Sequence, residues 1–169
     1  MRNSLIVLVL LGLIIISGCA STTSKYSAND FISAISVKVE GIDPQTTEDS
    51  STTKEIYWNI SNKPITVTID IKKDSASAIK YQQTLINLFR EQKYPSPAVM
   101  SYEKKEIFGQ EVAFLEIGAA SSSLIYKNDT RRMYLWSKDN FAFHIEESNN
   151  VNNSHLDELA TRIIGVYNK

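Results

Sequence analysis

Apolar positions along the chain form one unbroken block followed by several periodic stretches. Leu5 to Ile16 is aliphatic throughout except for Gly12, with Arg2 ahead of it and Ser17-Gly18-Cys19 behind it. A helix needs about 20 apolar residues to cross a bilayer, so this run is too short for a permanent span. A basic start, a short aliphatic middle and small residues before a cut site are the layout of an export signal. Residues 20 to 30 are mostly small and polar, which predicts a flexible tether.

Beyond residue 30 the periods are those of a folded domain. Phe31 to Ile42 alternates, with Ile35, Val37 and Val39 on one side and Ser36, Lys38 and Glu40 on the other. This predicts a half-buried strand broken by Asp43-Pro44. Gln45 to Lys54, rich in Ser and Thr with Glu48 and Asp49, predicts a mobile loop. Glu55 to Ile60 and Ile65 to Lys72 predict two strands joined by the turn Ser61-Asn62-Lys63-Pro64. The second places Ile65, Val67, Ile69 and Ile71 on one face and Thr66, Thr68 and Asp70 on the other. Asp74 is placed to cap a helix from Ser75 to about Lys93. Its apolar stripe is Ala78, Tyr81, Leu85, Leu88 and Phe89, flanked by Ile79 and Ile86, and Tyr94-Pro95-Ser96-Pro97 ends it.

Val99 to Phe108 and Glu111 to Gly118 flank Gly109-Gln110, which predicts a type II′ hairpin. In that register Ile107 faces Val112, Lys105 faces Phe114 and Glu103 faces Glu116; the like-charge pair predicts a bulge or an early end to pairing. Leu124 to Lys127, Thr130 to Trp136 and Phe141 to Glu146 predict further strands. Closing the loop Ser137 to Asn140 sets Trp136 against Phe141, Tyr134 against Phe143 and Arg132 against Ile145. The opposite face carries Met133, Leu135, Ala142 and His144, with Arg131 beside Glu146. Ser154-His155-Leu156-Asp157 has capping-box spacing and opens a last helix with Leu156, Leu159, Ala160, Ile163 and Tyr167 on one side. The sum is an α+β fold, an antiparallel β-sheet with two main α-helices packed on it. The chain divides into a signal at 1–18, Cys19 with its tether at 19–30, and a single domain at 31–169.

Composition then narrows the chemistry. A formal net charge of -1 without a basic block excludes a nucleic-acid backbone as partner. One cysteine cannot form an intrachain disulfide, so the core alone must hold the domain. Of the two histidines, His144 falls in mid-strand and His155 in the first turn of a helix, neither with a carboxylate or second histidine at ligand spacing. No metal or other cofactor is therefore expected. No serine lies in Gly-x-Ser-x-Gly and the glycines are isolated, so neither a nucleophile elbow nor a phosphate loop is present. Glu146 and Glu147 should point to opposite faces of a strand, and Asp157 and Glu158 should spread around a helix, which reads as a charged rim rather than a catalytic pair.

Two surface groups remain as binding candidates. Arg131, Met133, Leu135 and His144 form an apolar centre with a polar rim, which suits either an interaction surface or a second core face covered by another element. Lys104-Lys105, near Arg131 and Arg132, is diluted by Glu103, Glu106 and Glu111 and reads as a solvated face.

Ile16-Ser17-Gly18-Cys19 closely resembles the lipobox of bacterial lipoprotein signal peptides. The resemblance implies a diacylglyceryl group in thioether linkage on Cys19 and cleavage just before it. In many organisms the exposed amine is also acylated, by a fatty acyl group such as palmitate. Two or three chains on one residue suffice for stable anchoring. The implied location is the cell membrane or outer membrane, with the domain on the extracytoplasmic side; Ala20, not Asp, after the cysteine favours the outer membrane in a Gram-negative cell. The order strands, helix, antiparallel strands, helix, with Gly109-Gln110-Glu111-Val112-Ala113-Phe114 in the middle hairpin, resembles the PsbP-like fold, including DcrB-type lipoproteins, over about residues 55 to 168. That resemblance implies a domain that assists membrane protein assemblies without catalysing a reaction. The expected function is thus a membrane-anchored, non-catalytic accessory with an envelope protein as partner. The alternative is a small-ligand carrier or hydrolase, marked by a cleft between helices and sheet with converging polar groups.

Overall fold

The computed structural model describes residues 24–60, 63–91, 98–118, 130–148 and 154–168. The signal, Cys19, the turn at 61–62, the helix stop at Tyr94 to Pro97 and the strand expected at Leu124 to Lys127 lie outside them. The described elements run α1 (Ala28–Ile35), β1 (Gln45–Asp49), β2 (Thr53–Ile60), β3 (Lys63–Ile71), α2 (Ser75–Glu91), β4 (Ala98–Ile107), β5 (Gln110–Gly118), β6 (Thr130–Lys138), β7 (Phe141–Ser148) and α3 (Ser154–Tyr167). Seven antiparallel strands form one sheet in the order β1-β2-β3-β7-β6-β5-β4. Helix α2 joins β3 to β4 on the far edge and crosses one face over β6 and β7, while α1 and α3 pack together on the other. The α+β class holds, as helix, sheet and helix layers.

The strand expected at Phe31 to Ile42 is instead helix α1 followed by irregular chain, and the domain begins within the expected tether. Ser27 and Asp30 start the helix: the Ser27 backbone N–H donates to Asp30 Oδ2 at 2.7 Å, and its hydroxyl donates to the same oxygen at 2.8 Å. These bonds hold the Asp30 carboxyl below the usual carboxylate range. Phe31 and Ile35, one helical turn apart, share the buried face. The Phe31 ring sits 5.1 Å from Phe141, 5.0 Å from Phe143 and 5.1 Å from Tyr167. The loop expected at Gln45 to Lys54 contains strand β1, paired with β2 at the sheet edge and exposed along its length. Neither face of that strand is covered, so it needs no apolar alternation, and acidic Glu48 and Asp49 suit an edge.

Strand β3 and helix α2 follow their patterns. Ile65, Val67 and Ile69 are buried, and Asp74 caps α2 by accepting the Ser77 N–H at 2.7 Å; the Ser77 side chain first and this backbone bond second lower its carboxyl pKa. Both later hairpins pair two residues away from the expected register. The first turns on Phe108-Gly109, both left-handed at φ 47° and 76°, so Ile107 pairs with Gln110, Lys105 with Val112 and Glu103 with Phe114. This corresponds to the I′ family rather than II′. The Glu103–Glu116 clash does not arise; Glu106 opposes Glu111 instead, and Lys104 Nζ donates to Glu111 at 2.8 Å. The second hairpin turns on Asp139-Asn140, pairing Trp136 with Phe143, Tyr134 with Ile145 and Arg132 with Glu147. A slip of two preserves which face each side chain occupies, so the aromatic face survives. Trp136 stacks on Phe143 at 4.8 Å, in a core that also buries Trp58, Tyr134 and Phe31 between the sheet and α1/α3. A smaller core lies under α2.

Candidate functional site

Helix α2 decides the fate of the proposed interaction surface. Met133 and Leu135 are 0% exposed, packed with Leu115 and Ala113 beneath Leu85, Ile86 and Phe89 of that helix. Of the two readings of the face of Arg131, Met133, Leu135 and His144, burial supports the second core for Met133 and Leu135, which are no exposed interaction surface, while Arg131 stays exposed at its rim. Its rim is polar as expected. Arg131 Nη1 lies 3.4 Å from Glu146 Oε1, and His144 Nε2 lies 3.6 Å from Glu146 Oε2. The Phe89 ring covers His144 at 5.9 Å. Burial pushes the His144 imidazole below its ordinary 6.5, opposed by the carboxylates of Glu146, Asp70 and Glu55.

Both histidines do have acidic partners, contrary to the linear reading. Positions 144 and 146 share a strand face by their two-residue spacing, and folding brings Glu147 to His155. His155 Nδ1 lies 2.8 Å from Glu147 Oε1 and its Nε2 3.5 Å from Glu40 Oε1. Glu147 is 1% exposed, and Arg132, its cross-strand neighbour, contacts Glu116 at 3.4 Å. This polar group closes the sheet end where α3 begins, and the His155 ring gives the buried Glu147 side chain a hydrogen-bond partner. Glu146 and Glu147 do serve opposite faces.

Lys104 and Lys105 also separate onto opposite faces. Lys105 turns inward, its Nζ 4.1 Å from the Phe114 ring centroid and 3.3 Å from the Tyr134 hydroxyl. The Tyr134 hydroxyl donates to Asp157; burial, followed by that bond, raises its pKa. Lys104 borders a cleft of about 310 Å³ between α2 and β4–β5, lined also by Gln82, Asn87, Arg90 and Tyr102. The Arg90 guanidinium lies over the Tyr102 ring at 4.6 Å. Among the described residues no group of three or more His, Cys, Asp or Glu could hold a metal ion, and no helix is long and apolar enough to cross a membrane.

Cys19 lies outside the described residues; from Ser24 onward the chain is tied to the domain. Ser24 Oγ donates to Asp139 Oδ2 at 3.0 Å, and the Tyr26 N–H donates to Ser24 Oγ at 3.1 Å. The Tyr26 ring meets Tyr167 edge-on at 4.9 Å, and its hydroxyl donates to the Tyr167 carbonyl at 3.3 Å. The domain is thus entered beside the Asp139-Asn140 turn. Lys72 at the end of β3 is at the same sheet end, its N–H donating to the Asn140 carbonyl at 2.8 Å. The antiparallel pairing also puts the Phe108-Gly109 turn there, since β5 starts beside the end of β6.

No family model matches the chain, and no curated protein matches it in sequence. Among solved structures, a crystal structure from Bacteroides thetaiotaomicron at 1.50 Å resolution aligns with a TM-score of 0.42 and 12% identity. The alignment covers 70% of this chain and 40% of that one, so the chain spans well under half the length of this structural neighbour.

Proposed function

We propose that the chain is an extracytoplasmic lipoprotein, anchored through lipid on Cys19, whose domain is a non-catalytic binding or assembly module of the PsbP-like kind serving an envelope protein. The observation that carries this reading is the short distance from Ile16-Ser17-Gly18-Cys19 to the docked Ser24. Five residues extend at most about 18 Å, so a lipid on Cys19 holds the domain against the membrane surface. The finer fold assignment draws support from the element order β2-β3-α2-β4-β5-β6-β7-α3. A non-catalytic role draws support from the filled layers on both sides of the sheet, which turn aromatic and aliphatic side chains inward; the polar-lined cleft between α2 and β4–β5 is the feature that favours the small-ligand carrier or hydrolase alternative. The test is site-specific photocrosslinking of the full chain in intact membranes, from exposed Gln83 and Asn87 on α2. A discrete envelope protein captured from these positions is expected; capture of bulk lipid alone would contradict the accessory role.

A further inference from the structure

We infer that the sheet end bearing the Phe108-Gly109 and Asp139-Asn140 turns is the surface that meets the bilayer, with Phe108 entering the interface and lysines beside it facing anionic headgroups. The inference rests on the lipid anchor at Cys19 and adds which side of the domain the anchor presents.

Three observations converge on this end. The chain coming from Cys19 reaches the domain here, at the Ser24–Asp139 bond. Phe108 is 65% exposed at the tip of its turn and left-handed at φ 47°. A type I′ turn favours Asn, Asp or Gly at that position, and an aromatic residue with positive φ is an outlier. Phe108 thus costs the isolated fold twice, in backbone strain and in exposed apolar surface, and such outliers point toward function. Aromatic rings are enriched at membrane–water interfaces.

Charge at this end is mixed, with exposed lysines standing among acids. Lys25, Lys73 and Lys138 are exposed at this end, Lys73 with 81% of its side chain in solvent. Two of the lysines here pair with acids, Lys72 with Asp70 at 3.1 Å and Lys73 with Asp74 at 3.9 Å, and Asp139 is bonded by the neutral Ser24; Lys25 and Lys138 lie over the Tyr26 and Tyr167 rings and are the lysines turned to the headgroups. Glu106 and Glu111 flank the Phe108 turn, and Lys104 neutralises Glu111. A lysine near an anionic leaflet contributes about 1 kcal/mol, within a Debye length of about 10 Å, a range the short link to Cys19 allows.

The test uses the full lipidated chain in vesicles of phosphatidylethanolamine and phosphatidylglycerol. Cys19 is the only cysteine, and in thioether linkage it takes no thiol label. A nitroxide is placed on F108C, and on N59C at the opposite sheet end as reference. Position 108 is expected to be relaxed more by oxygen than by a water-soluble nickel complex, with position 59 showing the reverse. If 108 is as water-accessible as 59 in membrane-bound protein, the inference is overturned while the anchor stands, leaving a protein as occupant of this end. If the wild-type chain itself takes the label at Cys19, the anchor fails and the inference with it. F108W with brominated lipid gives an independent reading, because Trp58 and Trp136 are buried in the core: added quenching over wild type supports the contact, and none overturns it.

Discussion

Ser24 and Asp139, 115 residues apart in sequence, are joined by a 3.0 Å hydrogen bond that fastens the start of the domain to the turn between β6 and β7. Asp139 is itself left-handed at φ 51°, so Asp139→Gly keeps the turn while removing the acceptor. The expected cost to global stability is about 1 kcal/mol or less, because the glycine also relieves strain. The local effect is larger: trypsin cleavage after Lys25 should speed up several-fold. Unchanged cleavage in D139G would mean that Tyr26 and Tyr167 hold this segment without the hydrogen bond.

The burial of Met133 under α2 sets a second expectation. Met133→Ala should lower the free energy of unfolding by about 2–5 kcal/mol, the range for emptying a core site. A surface position would change stability by about 0.5 kcal/mol or less. Urea denaturation separates the two, and a loss within the surface range would return Met133 to the exterior.

His144 carries a pH dependence whose sign follows from its burial. Its imidazole titrates below 6.5 in the fold, so on acidification the unfolded chain takes up the proton first. Stability rises with pH wherever the unfolded state binds more protons. The contribution is therefore present above about pH 6.5 and is lost as pH falls from there through the folded pKa. Wild-type protein should unfold more easily at about pH 5.5 than at about pH 7.5, and His144→Gln should flatten that difference. Equal slopes in the two proteins would assign the pH dependence to the surrounding carboxylates.

Phe108→Asn should stabilise the fold by up to about 1 kcal/mol, since asparagine tolerates the left-handed turn that a bulky residue resists. Thermal unfolding measures this. A destabilised F108N would show that the ring packs on the domain instead of standing out from it.

The elements legible in the sequence are those whose side chains meet one covered face. Ile65, Val67 and Ile69 alternate because α1 and α3 cover one side of β3, and the stripe on α2 exists because it lies on β6 and β7. Helix α1 was obscured because Ile35, Val37 and Val39 alternate across its end and the chain beyond it. The signal that identifies it is Ser27-x-x-Asp30 with Phe31 and Ile35 one turn apart. Strand β1 carries no pattern because neither of its faces is buried. The hairpin registers slipped because the turns begin with Phe108 and Asp139, and left-handed Phe108 contradicts the residue preference on which turn assignment rests. The Met133–Leu135 face is apolar in the sequence, but the identity of its cover depends on α2 crossing the sheet, a long-range fact. The Glu147–His155 pair is non-local in the same sense: strand and helix place it, with no spacing rule to announce it.

The central claim is the lipid on Cys19, and mass spectrometry of the amino-terminal fragment of the native protein tests it most directly. The predicted fragment begins at Cys19 and carries the mass of a diacylglyceryl group, with or without a further acyl chain on its amine. A fragment beginning at Met1 with an unmodified Cys19 would contradict it.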